Sequence, residues 1–212
     1  VIGGGERTPE ARILSFAEAF PKARYIDAYG LTESNSGDTF MEPGRELEKI
    51  GSVGRAAPHL DMSIRNDAGR TLAAGETGEI CLKGRKITAG YWNDPAKTAE
   101  AFFPDGWFRT GDVGHLDDEG FLYLTDRKKD MILSGGENIA SSEVERVIYD
   151  MPEVLEAAVV GAPDAKWGEI PVAFVTLRPG ATVTLAALQA HCRRSLAGFK
   201  TPKRLILRDA LP

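Results

Sequence analysis

DGWFRTGDVGHLDDEGFLYLTDRKKDMILSGGENIASSEVE, residues 105–145, changes texture twice. Its GDVGHLDDEGFLYLTD portion (111–126) reads as two strands joined at Asp117-Asp118-Glu119-Gly120, a hairpin signal. Arg127-Lys128-Lys129-Asp130 then forms a charged seam. MILSGG reads as a strand, and Gly135-Gly136 lies between that strand and the start of a helix, SSEVERVIYDM. Ser142 and Glu145 have the spacing of a capping box. Two kinds of local order on either side of a charged seam predict a domain boundary at 127–130.

Working upstream, residues 50–126 carry short alternating runs and tight turns. Asn66-Asp67-Ala68-Gly69 and Gly75-Glu76-Thr77-Gly78 are turn signals. One helix interrupts, with Asp94 as cap, Pro95 next and AKTAEAFF behind. This region is expected to be a small β-barrel. Residues 1–49 read as an α/β unit. VIGGG is a strand end and glycine turn, Thr8 an N-cap and Pro9 the first helical residue. Arg12, Ile13, Phe16, Ala17 and Phe20 follow at helical spacing. Arg24–Ala28 is a second strand, running into Tyr29-Gly30-Leu31-Thr32-Glu33. Downstream, residues 131–212 read as an α+β domain: VLEAAVVGAP (154–163) and PVAFVTLRP (171–179) are strands and LAALQAHCRRSL (185–196) a helix.

The 212 residues suffice for one large or two small domains, and a chain of this size buries roughly 70% of its unfolded surface. A net charge of -5 argues against nucleic acid or an anionic membrane as the main partner. The two cysteines, Cys81 and Cys192, lack metal-ligand spacing and are expected as buried free thiols in a reducing, cytoplasmic setting. No apolar run approaches the roughly 18 residues of a membrane span, and no signal peptide is visible. The chain begins on an apolar strand and stops without a polar tail, so it is expected to be a piece of a longer one.

Several motifs point to a nucleotide. Tyr29 offers an aromatic face for adenine. Thr32 offers a hydroxyl for a phosphate oxygen, and Glu33 a carboxylate of the kind Mg²⁺ takes beside phosphate oxygens. Gly30 allows close backbone approach. Gly3-Gly4-Gly5 lies one helix and one strand upstream, so both motifs should sit on neighbouring strand ends, where open α/β sheets bind ligands. In Trp107-Phe108-Arg109-Thr110-Gly111-Asp112 a carboxylate after a glycine can grip a ribose. Each also has a plainer reading: a decorated turn, a glycine turn, a strand-end aspartate. The 127–130 seam alone is equally a solvated linker, and Gly135-Gly136 either lines a narrow passage or makes a tight turn. His59, His115 and His191 have no partner at catalytic spacing.

Together, YGLTES, then GEICLKGRKITAGYWNDPAKTAEAF, then the 105–145 stretch resemble the adenylate-forming superfamily, in order and spacing and over essentially the whole chain. Within it the sequence is most similar to acyl-CoA synthetases. The resemblance implies the end of a large N-terminal domain (1–49 α/β, 50–126 barrel), a hinge (127–130) and a small C-terminal lid domain (131–212). It implies ATP-dependent conversion of a fatty or aromatic acid to an acyl-adenylate, then transfer to CoA, with ATP/AMP, Mg²⁺ and CoA as cofactors.

By motif, Tyr29 would stack on adenine, Thr32 contact phosphate and Glu33 bind Mg²⁺. Asp112 and Arg127 would hold the ribose, and Lys129 would be the hinge. Gly135, with Gly136 beside it, would line the pantetheine tunnel. Gly3, Gly4 and Gly5 would flank adenine and the acyl group. The family's phosphate loop would precede Val1 and its catalytic lysine would follow Pro212, so the 212 residues alone are expected to be inactive. Lys200 and Lys203 match no catalytic motif and read as surface charge. YGLTE and DMILSGGENI are closer to acid–CoA ligases than to peptide-synthetase adenylation domains. An adenylation domain serving a carrier protein, and a nucleotide-binding module without catalysis, remain the alternatives. A homodimer is compatible with the sequence.

Overall fold

The computed structural model describes residues 1–4 and 10–211. The expected cap Thr8, the expected first helical residue Pro9, and Gly5 lie outside the described residues. The chain divides into two bodies, Val1–Leu124 and Thr125–Pro212.

The first body holds two sheets. One is β1 (Ile2–Gly3), β2 (Ile26–Tyr29), β3 (Thr39–Phe40) and β4 (Arg55–Ala56), in that order. β1 and β2 are parallel, joined through helix α1 (Glu10–Ala19), which buries Ile13. Gly3 pairs with Asp27 in parallel register, so Gly4 after β1 and Gly30 after β2 leave the sheet at the same end. The first sheet continues past residue 49 because β4 pairs with β3.

The second sheet is β5 (Leu60–Arg65), β6 (Gly78–Gly84), β7 (Phe108–Leu116) and β8 (Leu122–Arg127), again in chain order. Its turns form where local side chains satisfy backbone donors. Asn66 Oδ1 accepts from the amides of Ala68 and Arg70, and Asp117 Oδ1 from those of Glu119 and Phe121. Between β6 and β7, Asp94 caps α2 (Pro95–Glu100) by accepting from the Lys97 amide. The helix is shorter than expected, with Phe102 and Phe103 beyond its end.

The expected barrel is realised as this sheet, whose order is open from β5 to β8. One edge is instead joined to the first sheet. The Val53 amide donates to the Leu122 carbonyl at 2.9 Å and the Leu122 amide to the Gly54 carbonyl at 2.8 Å. Tyr29, Val53, Ile64, Ile80, Leu82 and Leu122 therefore share one core. β6 is buried on both faces, Ile80 and Leu82 on one and Cys81 on the other.

The second body is one mixed sheet with two helices. Its elements are β9 (Ile132–Ser134), β10 (Glu137–Ile139), α3 (Ser141–Tyr149), β11 (Val154–Asp164), β12 (Gly168–Leu177), α4 (Leu185–Cys192) and β13 (Arg204–Leu207). The sheet order is β10-β9-β12-β11, and β13 pairs parallel to β12. Val144, Val147 and Ile148 of α3 recur at helical spacing and are buried in the core with Val159, Val175 and Leu188. Each such side chain contributes about 1.5–3 kcal/mol relative to exposure. Cys192 is buried there as a free thiol, and burial raises its pKa.

Two local expectations are corrected here. Gly135-Gly136 does not lead from strand to helix. It turns between β9 and β10, which pair antiparallel with Ser134 opposite Glu137. Both glycines have positive φ, 61° and 87°, as a two-residue type I′ turn requires. The Ser142–Glu145 capping box is also absent. The Ser142 hydroxyl donates to the Thr125 carbonyl, and Glu145 Oε1 accepts from the Val159 amide. Asp126 does the capping: its Oδ2 accepts from the Ser141 hydroxyl at 2.9 Å and the Ser142 amide at 3.3 Å. A carboxylate from β8 also suits the positive end of the helix dipole.

Candidate active site

Tyr29 and Asp112 are brought into contact. The buried Tyr29 hydroxyl donates to Asp112 Oδ2 at 2.7 Å. Burial, with Asp112 close by, pushes the phenol pKa above its ordinary value. Asp112 reaches this position through an irregularity. The β6–β7 register shifts between Glu79 and Cys81, and Gly111 takes φ 74°. A bulge re-aims a side chain in this way. Thr110 braces it, its hydroxyl donating to the Ile80 carbonyl at 2.7 Å and accepting from the Asp112 amide at 3.0 Å. Glu79, only 4% exposed, pairs with Arg109 at 3.0 Å and accepts from the Gly111 amide at 3.3 Å. Glu79 was not singled out by the sequence reading; its signal was a charged residue on a buried strand.

The chain leaves β2 at Tyr29 and enters the loop holding Thr32 and Glu33 in a 3-10 turn, Thr32–Ser34. Thr32 is exposed and Glu33 half-buried. A Cβ at Gly30 would lie 2.4 Å from the Gly37 amide nitrogen. The close approach expected at Gly30 is thus made by the chain's own backbone. A Cβ at Gly3 would likewise meet the Tyr25 hydroxyl, and one at Gly4 would lie 3.2 Å from the Ala28 carbonyl.

The loop then makes a left-handed turn, with φ 56° at Asn35, 58° at Ser36 and 63° at Gly37. Non-glycine residues pay steric strain there. Lys86, just past β6, holds it. Its ammonium donates to the carbonyls of Ser36 at 2.7 Å and Gly37 at 2.9 Å, and pairs with the fully buried Asp38 at 2.9 Å. Asn35 answers by donating to the Lys86 carbonyl at 3.0 Å. Asp38 also takes the Ser34 hydroxyl and, at 3.3 Å, the Leu31 amide. Lys86 and Asp38 were missed because nothing local in sequence ties them together.

Glu33 is fixed from the same side. Its carbonyl accepts from the Thr88 amide at 2.7 Å, and its carboxylate Oε1 from the Tyr91 hydroxyl at 2.9 Å. Among the described residues, no group of three or more His, Cys, Asp or Glu could hold a metal ion. A single accessible carboxylate fits Mg²⁺, which takes one or two carboxylates and completes its shell with water and phosphate oxygens.

The remaining expected residues belong to the second body. Arg127 ends β8 and its amide donates to Asp126 Oδ1. Lys129 lies in a 3-10 turn, Lys128–Asp130, with its side chain 72% exposed and 3.5 Å from Asp130. Gly135 donates its amide to the Trp167 carbonyl at 2.8 Å, and a Cβ there would lie 2.8 Å from the Trp167 ring. A Cβ at Gly136 would meet open space. Lys200 pairs with Glu143 at 2.6 Å, as a surface residue does. No helix of the described residues is long and apolar enough to cross a membrane.

Residues 1–92 match the AMP-binding enzyme family and residues 143–212 the AMP-binding enzyme C-terminal domain. The chain is 44% identical over 211 residues to a long-chain-fatty-acid–CoA ligase of Mycobacterium tuberculosis, and covers 41% of it. It is 43% identical over 212 residues to a 2-succinylbenzoate–CoA ligase of Geobacillus kaustophilus, covering 42% of that protein. Both matches take in 100% of this chain. Among solved structures, o-succinylbenzoate CoA synthetase from Bacillus subtilis with its acyl-adenylate superposes with a TM-score of 0.91 at 37% identity. The same enzyme with ATP and magnesium gives 0.89 at 36%. These matches cover 100% of this chain and 42% and 43% of those chains. The chain spans about two fifths of the length of these relatives. With both parts of the family matched in order and the fold shared along its whole length, the chain belongs to the adenylate-forming, AMP-binding enzyme family.

Proposed function

We propose that the protein containing this chain is an acyl-CoA synthetase. A carboxylate oxygen of the acid attacks the α-phosphorus of ATP and pyrophosphate leaves, giving the acyl-adenylate. The CoA thiol then attacks the acyl carbon, loses its proton, and AMP leaves as the thioester forms. The observation that carries this reading is the Tyr29–Asp112 hydrogen bond, which sets an aromatic ring and a fixed carboxylate side by side at the end of β2.

In this reading the Tyr29 ring stacks on adenine and Asp112, with Arg127, receives the ribose hydroxyls. Asp112 keeps one oxygen on Tyr29, so it is oriented before the nucleotide arrives, and pre-orientation reduces the entropy lost on binding. Thr32 donates to a phosphate oxygen. Glu33 takes Mg²⁺, which when bound offsets the charge of the phosphates. Gly3 and Gly4 let strand backbone lie beside the base and the acyl group. Lys129 is the pivot between the two half-reactions, absorbing the backbone φ/ψ change in the turn Lys128–Asp130. Gly135 and Gly136 give CoA a backbone-lined passage.

CoA is favoured over a carrier protein as acceptor because the relatives matched along the whole chain are CoA ligases. They include both fatty and aromatic acid ligases, so the acid is to be found by assay. The test is AMP formation by the full-length protein over a panel of fatty and aromatic acids, with and without CoA. An acid-dependent, CoA-stimulated release of AMP is expected; none with any acid would overturn the reading.

A further inference from the structure

Glu33 is gripped at both of its ends by one short segment. Thr88 takes its backbone carbonyl and Tyr91 one of its carboxylate oxygens. Tyr91 is itself anchored. Its amide donates to the Thr98 hydroxyl at 2.9 Å, and the Lys97 ammonium sits 4.6 Å from its ring centroid. Both anchors lie on α2, which Asp94 caps. The phenol therefore approaches Glu33 from a loop residue tied to α2 at two points.

A carboxylate with two equal oxygens can swing and can take a cation on either or both. One whose Oε1 accepts a hydrogen bond from a phenol has its plane held and Oε2 as the less encumbered oxygen for a cation. We propose that Tyr91 is a positioning residue that fixes Glu33 for single-oxygen coordination of the divalent cation accompanying ATP. This rests on the reading of Glu33 as a cation ligand. Outer groups that orient a metal ligand commonly matter nearly as much as the ligand.

The test is binding of Mn²⁺ with ATP to the full-length protein, followed by loss of the free Mn²⁺ paramagnetic resonance signal. It requires no turnover. Tyr91→Phe removes one oxygen and should fold. It is expected to weaken Mn²⁺·ATP binding by roughly 10-fold, the lower edge of what losing such a partner costs a metal site. Its melting temperature should stay close to the parent's. Glu33→Gln should weaken binding further. Unchanged Mn²⁺ affinity in Tyr91→Phe, with or without a lower melting temperature, would make the tyrosine merely structural and overturn the proposal. If Glu33→Gln also binds like the parent, Glu33 is no cation ligand and the proposal falls with it. AMP release over the acid panel would still decide the synthetase reading separately.

Discussion

The hydroxyl of Tyr29 donates to Asp112 Oδ2 at 2.7 Å across 83 residues of sequence. This bond joins the end of the first sheet to the bulge in the second. It also makes each residue's role testable through the other.

Asp112→Ala removes the carboxylate while leaving Tyr29 in place. Two charge-assisted bonds to a ribose at about 1.5–3 kcal/mol each correspond to a loss of roughly 10² to 10⁴ in adenylation kcat/KM. ATP–pyrophosphate exchange by the full-length protein measures it. A change below about threefold would make Asp112 a turn residue only.

Tyr29 gives a pH signature. Its folded pKa lies above the unfolded value, first through burial and then through Asp112. The native state therefore favours the protonated phenol. That contribution is fully present below about pH 10, the unfolded phenol pKa, and is lost as pH rises further. Melting temperatures from pH 8 upward should fall more steeply in the parent than in Tyr29→Phe. Parallel curves would contradict the assignment.

Lys86→Met leaves Asp38 buried opposite an apolar chain. Removing one partner of a fully buried pair costs about 3–5 kcal/mol; Lys86 reaches solvent, so about 1–3 kcal/mol is expected. Chemical denaturation would read it. Asp38→Asn added to Lys86→Met should recover part of the loss, as coupled residues do. Strict additivity would mean that the pair does not hold the turn.

Gly135 carries two constraints, a positive φ and the Trp167 ring. Gly135→Leu should cost about 1–2 kcal/mol in backbone strain alone and lower the melting temperature. If the backbone also lines the CoA passage, thioester formation falls by orders of magnitude while pyrophosphate exchange persists. Equal losses in both steps would leave only the turn. Gly135→Asn, which tolerates the left-handed region, separates strain from bulk.

Lys129→Pro fixes φ near -65° and should spare adenylation while crippling thioester formation. Loss of both in proportion would remove the pivot role.

What the sequence disclosed was what local chemistry decides. Asn66, Asp94 and Asp117 satisfy backbone donors within four residues of themselves, so their turns and cap were readable. Tyr29 and Asp112 were each readable as motif members, but their contact was not, because it depends on the shift opposite Glu79. The Ser142 cap failed for a related reason. The helix start is instead capped by Asp126, a stronger acceptor that β8 delivers to the Ser141 hydroxyl and the Ser142 amide. The double glycine was seen, but its turn type followed from β10, three residues whose pattern is too short to show alternation.

The left-handed turn at Asn35–Gly37 also sets an order of events during synthesis. Its clamp, the Lys86 ammonium, lies 50 residues beyond Ser36. At roughly 5–20 residues per second on the ribosome, the Thr32–Glu33 loop would wait about 3–10 s for the group that holds it. The Tyr29 hydroxyl waits longer still, since its acceptor Asp112 lies 83 residues downstream. If this loop contacts phosphate as proposed, nucleotide binding has to wait for sequence well downstream of the loop itself.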